Sequence, residues 1–101
     1  MDKGKPTVSK VTVLCWQEIP SVVEVKDESG TEKIQLSLKF QELIDLIAMR
    51  RGLAGTDEYL MEWRKEAQPE REGDAKSVAE SVAAEIEGNY EQIKADALAK
   101  S

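Results

Sequence analysis

The feature that most constrains the fold of this chain is a change in the spacing of its apolar residues near Ser37. Before this point apolar and polar side chains alternate, which is typical of β-strands with one covered face. After it the apolar residues recur every three or four positions, which is typical of amphipathic helices. Strands followed by helices predict an α+β domain with the helices on one face of an antiparallel sheet.

The alternating part predicts three strands, over residues 8–16, 21–27 and 32–37. Pro20 stands at the start of the second, where a missing backbone N–H is tolerated. The turn before the third ends in Gly30 and indicates a hairpin. Alternation places one set of side chains on the outer face of the sheet: Lys10, Thr12, Leu14, Trp16, Val22, Glu24, Lys26, Lys33 and Gln35.

The later part predicts three helices. The first spans 38–51 and ends at Gly52, a residue that readily terminates a helix. The second begins at Thr56 and fades by Ala67, before a charged surface loop over 66–74. The third begins at Asp74 or Ser77 and runs to Ala97. The predicted fold is therefore a three-stranded antiparallel sheet followed by three helices packed on one face.

The length of 101 residues fits one domain, which we place at 8–98 after a flexible leader of residues 1–7. Residues 1–54 hold eight basic and eight acidic side chains, and residues 55–101 hold six basic and twelve acidic ones. An acidic second half repels phosphate groups, so neither nucleic acid nor membrane is an expected partner. The lone cysteine and the lack of an apolar leader favour a cytoplasmic location.

Catalytic signatures are missing from the sequence. The chain has no histidine, which is the commonest general base at neutral pH, and no Gly-rich phosphate loop. We therefore expect neither a cofactor nor a metal. Cys15 is interpreted as a buried, inert thiol. Arg50 and Arg51 are interpreted as favourable charges at the end of a helix, and Tyr59 with Trp63 as core residues.

Three phrases in the chain resemble a small bacterial domain family whose members are labelled virulence factors. They are Trp16–Ser21 (WQEIPS), Phe40–Asp45 (FQELID) and Gly52–Asp57 (GLAGTD), the last followed by Tyr59 and Trp63. A similar domain is attached to HEAT-like repeats in proteins called conserved virulence factor C. The resemblance covers about residues 11–93. It implies no reaction, cofactor or catalytic residue, because the family label describes a phenotype.

The most unusual predicted surface is the outer face of the sheet at the end of the first strand. A large aromatic residue there, next to other apolar groups, is typical of a contact with a partner. The predicted interaction residues are Leu14, Trp16, Gln17, Glu18 and Val22. A structural interpretation stays open for Trp16, since large aromatic side chains are buried on average.

Two functions follow from these residues. The first is a non-catalytic module that associates with itself or with another bacterial protein through the open sheet face. The second is an accessory subunit of a metabolic enzyme, with a one-carbon enzyme as an example. That alternative requires a ligand pocket at the turn between the first two strands, formed by Trp16, Gln17, Glu18 and Arg51.

Overall fold

The computed structural model describes residues 7–101, so most of the predicted leader lies outside the described residues. Eight elements follow one another along the chain. They are β1 (Val8–Trp16), β2 (Ile19–Lys26), β3 (Thr31–Gln35), α1 (Leu38–Arg50), α2 (Asp57–Met61), β4 (Trp63–Glu72), α3 (Ala75–Gly88) and α4 (Tyr90–Ala99). The α+β class is confirmed. The predicted count of three strands and three helices is wrong, since the described chain has four of each.

The four strands form one antiparallel sheet in the order β3-β2-β1-β4. The predicted hairpin of the second and third strands is present as β2 and β3. Strand β4 then returns after two helices to pair with the free side of β1, so that β1 and β2 become the central strands. The edges of the sheet are therefore β3 and β4.

The apolar core lies between the sheet and helices α1 and α3. Helix α3 crosses β1, β2 and β3, while α1 packs on β2 and α4 packs against α1 and α3. The alternation correctly predicted that Val11, Val23 and Val25 face this core. The largest fully buried side chains include Trp16, Phe40, Ile19, Ile44, Ile47, Val23 and Val25.

Trp16 is part of this core, so the prediction that its indole lies on the outer face of the sheet is wrong. Its side chain is 0% exposed. The pairing of β1 with β2 shifts after Leu14, so that Cys15 pairs with Pro20 and Trp16 pairs with Ile19. The shift leaves Ser21 of β2 as the extra residue of a β-bulge. Cys15 and Trp16 are both buried, and Trp16 belongs to the core cluster.

Helix α2 and the start of β4 cover the indole. The rings of Trp16 and Tyr59 lie 5.4 Å apart between centroids, and the indole N–H donates a hydrogen bond to the Tyr59 carbonyl at 2.9 Å. Trp63 pairs with Trp16 across the two strands. The expectation that Tyr59 and Trp63 pack against the core is confirmed.

Strand β4 occupies the segment that the sequence predicts as the end of a helix and a loop. Its ten residues include six charged side chains, and none of the ten is fully buried. Pro69 is tolerated because the register between β1 and β4 shifts beside it, opposite Lys10. An edge strand with this many charges is protected from pairing with other chains.

Helix α1 starts and ends within one residue of the prediction, whereas the other two predicted helices differ. Helix α2 is only five residues long. The single long helix predicted at the end of the chain is divided into α3 and α4 at Asn89. Asp74 caps α3 by accepting a hydrogen bond from the backbone N–H of Ser77. Ser37 precedes α1 without capping it, because its hydroxyl and N–H both donate to Glu87 of α3.

Candidate functional site

The sheet face opposite the helices is only partly covered by its own chain. Two adjoining grooves of about 230 and 240 Å³ lie on it and share Thr12, Glu24 and Lys65. We call all the residues that line either groove the open face. They are Lys10, Thr12, Leu14, Val22, Glu24, Lys26, Lys33 and Lys65.

Two of the predicted interaction residues lie side by side at one end of the open face, in the first groove. Leu14 and Val22 are direct cross-strand partners, and both side chains are half-buried. Next to them along the sheet, Thr12 pairs with Glu24. Apolar side chains beside polar and charged ones are typical of a protein contact surface.

Each of the four strands contributes one lysine to the open face: Lys10 from β1, Lys26 from β2, Lys33 from β3 and Lys65 from β4. One carboxylate lies among them. Glu24 is 3.9 Å from the Nζ of Lys33 and 3.8 Å from the Nζ of Lys65. Three of these lysines stand at outward positions of the predicted strands. The fourth, Lys65, lies in the second predicted helix, so the sequence pattern does not bring the four together.

Gln17 and Glu18, the other two predicted interaction residues, form the β1–β2 turn and contact the end of helix α1. The two Arg51 Nη atoms donate to the two oxygens of Glu18 at 3.1 and 2.8 Å. The same guanidinium donates to the side-chain oxygen of Gln17 and to the carbonyl of Ala97. This two-pronged contact fastens the turn to α1 and α4.

The ion pair perturbs Glu18 in the direction expected for a structural contact. The Arg51 hydrogen bond lowers the pKa of Glu18 below its ordinary value, so this carboxylate stays ionised at neutral pH. A carboxylate that is held ionised by a guanidinium is a weak proton acceptor. Arg51 therefore acts as a tie between elements, and the interpretation of it as only a dipole partner was incomplete.

The backbone of Gln17 is held in an unusual conformation. Its φ of 53° lies in the left-handed region, which costs a residue with a side chain roughly 1 kcal/mol or more. Three contacts hold it there. Its N–H donates to the Glu62 carbonyl at 3.0 Å, its side-chain amide donates to the Glu62 carboxylate at 3.2 Å, and its side-chain oxygen accepts from Arg51.

The polar groups proposed to line a ligand pocket at this turn therefore bind one another. The indole of Trp16 is sealed in the core, and the Glu18 carboxylate and the Arg51 guanidinium are paired. These contacts lend no support to the accessory-subunit alternative.

Cys15 has the properties of an inert thiol. It is buried, and its burial raises its pKa from 9.0 to about 11, with a smaller contribution from Glu66. The reactive thiolate form is therefore suppressed at neutral pH. The prediction of a buried, unreactive cysteine is supported by both observations.

A third cavity, of about 310 Å³, lies between α1 and the segment that leads into α2. Asp45, Ala48, Met49, Ala54, Gly55 and Tyr59 line it. Met49 is 69% exposed at its rim. The lining is mostly apolar, with the Asp45 carboxylate as its one charged group.

Neither a metal site nor a membrane-spanning helix is present within residues 7–101. No three acidic, histidine or cysteine side chains of this part of the chain converge in a way that would hold a metal ion. Among its helices, none has both the length and the apolar character needed to cross a bilayer.

Together these observations define a small four-stranded α+β domain in which one sheet face is left without helices. Residues 14–99 match the protein family described as virulence factor, so the chain belongs to that family. The predicted family resemblance is thereby confirmed. Neither a curated protein nor a solved structure matches the chain.

Proposed function

We propose that this domain is a non-catalytic protein-interaction module that binds a protein partner through the open face. The observation that supports the proposal most directly is the pair Leu14 and Val22, two half-buried apolar side chains that lie side by side on the sheet face that no helix covers. Partly exposed apolar groups next to polar ones favour association.

The chemistry of the chain supports a binding role over a catalytic one. Histidine is missing from the sequence. The Cys15 thiol is buried with a raised pKa, and the Glu18 carboxylate is paired with Arg51 with a lowered pKa. Both groups are shifted away from the values that a nucleophile or a general base needs near neutral pH.

The shape of the sheet also favours the open face over the sheet edges. Strand β4 is an edge rich in charge, with Pro69 in its second half, and this discourages the addition of another strand. The central strands β1 and β2 are paired on both sides, so their open-face side chains form a firm platform. A partner is therefore expected to contact side chains of the sheet more than its backbone.

The test is affinity capture from the native cell with the tagged protein and two variants, followed by quantitative mass spectrometry. The open-face variant is Leu14→Thr with Val22→Thr, which preserves strand propensity while removing the two apolar side chains. The control variant is Leu38→Gln, which changes an apolar residue that is 70% exposed on α1. Thermal unfolding establishes that each variant is folded.

We expect the wild type and the control to retain a common set of proteins that the open-face variant loses. If the folded open-face variant retains the same proteins in the same amounts, the open face is not the binding surface and the proposal is wrong. A concentration-dependent mass in light scattering would identify a second copy as the partner.

A further inference from the structure

We propose that the partner of the open face is an acidic surface of a different protein, with apolar groups over Leu14 and Val22 and carboxylates opposite the lysines. This inference rests on the proposed function and adds the chemical class of the partner. It follows from an excess of positive charge on one face of a chain whose net charge is −6.

Lys10 of β1 and Lys26 of β2 are direct cross-strand partners. Like charges directly opposite each other destabilise a sheet. Within residues 7–101, no carboxylate lies within 4.0 Å of either ammonium group, whereas Glu24 pairs with Lys33 and Lys65. The folding of the domain does not explain this pair of lysines, but an external anionic group between them would.

Charge repulsion disfavours a homodimer in which two open faces meet. If two copies met face to face, the lysines of one open face would lie against those of the other, and one Glu24 per copy is too little to offset them. A copy that instead placed its acidic second half on the open face would make a head-to-tail contact. Contacts of that kind extend into rings or filaments and do not close as a pair.

The lining of the open face fits an acidic protein better than a phosphate polymer such as a nucleic acid. Proteins that bind single-stranded nucleic acid present aromatic side chains for stacking, and no aromatic side chain lines the open face. Glu24 at the centre of the face would repel a row of phosphates. In a protein partner the same carboxylate can accept a hydrogen bond from a backbone N–H or a basic side chain.

The experiment uses a short peptide of alternating Glu and Val residues with blocked ends, and a Lys-Val peptide of equal length. Each is titrated into isotope-labelled protein and followed by the amide resonances. We expect the Glu-Val peptide to shift resonances of Thr12, Leu14, Val22 and Glu24, and the Lys-Val peptide to leave them unchanged. Because the contact is electrostatic, affinity falls about three-fold or more when salt rises from 30 to 300 mM.

Two charge-matched variants provide the control. Lys10→Gln with Lys26→Gln removes the cross-strand pair and is expected to weaken Glu-Val binding about three-fold or more. Lys76→Gln with Lys100→Gln removes two exposed lysines outside the open face and is expected to leave binding unchanged. Equal affinity of the two variants would overturn the inference.

Other outcomes overturn it as well. Shifts confined to another surface, no response to the Glu-Val peptide, or preferential binding of a twelve-residue oligo-dT or of phosphatidylserine vesicles would each contradict an acidic protein partner. The inference and the proposed function fail separately. If captured proteins are lost from the Leu14/Val22 variant but retained by the Lys10/Lys26 variant, the binding surface stands and its acidic partner does not.

Discussion

The two faces of the sheet are formed by alternate residues of the same strands, yet they differ in almost every physical respect. On the helix-covered face, Val11, Val23 and Val25 are at most 2% exposed and belong to the apolar core cluster. On the other face, Leu14 and Val22 are half-buried among lysines. The covered face therefore buries apolar groups, whereas the open face combines two apolar side chains with four lysines and one carboxylate.

The difference shows that burial alternates between odd and even positions over residues 9–15 of β1 and 22–26 of β2. Buried positions tolerate little change, because a lost methyl group leaves a cavity in a close-packed core. Open-face positions can change their chemistry at little cost, since they touch solvent and a few neighbours. The four predictions below test this division, starting with the largest expected effect.

Trp16→Ala is expected to destabilise the domain severely, by about 3–5 kcal/mol. The substitution removes a fully buried ring together with its hydrogen bond to the Tyr59 carbonyl. Chemical denaturation of the variant and the wild type measures the effect. A loss below about 1 kcal/mol would show that α2 does not hold the indole in the core.

Val22→Ala and Val23→Ala compare the two faces with the same chemical change at adjacent positions. We expect Val23→Ala to cost about 2 kcal/mol, because Val23 is 0% exposed, and Val22→Ala to cost about 0.5 kcal/mol. Parallel urea unfolding curves provide the measurement. Equal losses for the two variants would contradict the division between faces.

Glu18→Gln tests the link between the β1–β2 turn and helix α1. The Arg51 hydrogen bond lowers the pKa of Glu18 from its ordinary 4.5 in the folded state, so its contribution is complete above about pH 4.5 and is lost as the pH falls through the lowered value. The variant is expected to lose about 1 kcal/mol at pH 7, since the pair is partly exposed to solvent.

Unfolding measured from pH 7 to pH 3 checks this sign. The difference between wild type and Glu18→Gln shrinks as the pH falls. A difference that stays constant across that range would show that the hydrogen-bond geometry, and not the charge of Glu18, is the source of the stabilisation.

Lys26→Gln is expected to have the smallest effect, within about 0.5 kcal/mol of zero and towards stabilisation, because it removes one member of a like-charged cross-strand pair. Thermal unfolding at low salt is the sensitive measurement. A clear loss of stability would indicate that Lys26 has a structural role in the sheet.

The sequence predicted much of the fold where apolar residues have a regular period. The alternation in β1 and β2 and the helical period of α1 gave their bounds within two residues of the structure. Strand β4 has no such period, because none of its residues is fully buried on either face. Backbone pairing with β1 forms it, and that pairing is invisible in its side chains.

The candidate site was predicted in part for the same reason. Leu14 and Val22 lie on the outer face as alternation requires. Trp16 does not, because its indole is buried in the core, and the residue that covers it and accepts its hydrogen bond, Tyr59, is 43 positions away in the chain. The fourth lysine of the open face, Lys65, depends on the same unpredicted strand.

The buried thiol of Cys15 gives this domain a natural probe of its own opening. It pairs with Arg64 of β4 on one side and Pro20 of β2 on the other, and its pKa of about 11 makes it unreactive towards alkylating reagents while the sheet is intact. Once strand β4 detaches, the sulfur regains its ordinary acidity and reacts. Its rate of alkylation in native buffer therefore reports how often strand β4 opens, and no denaturant is required.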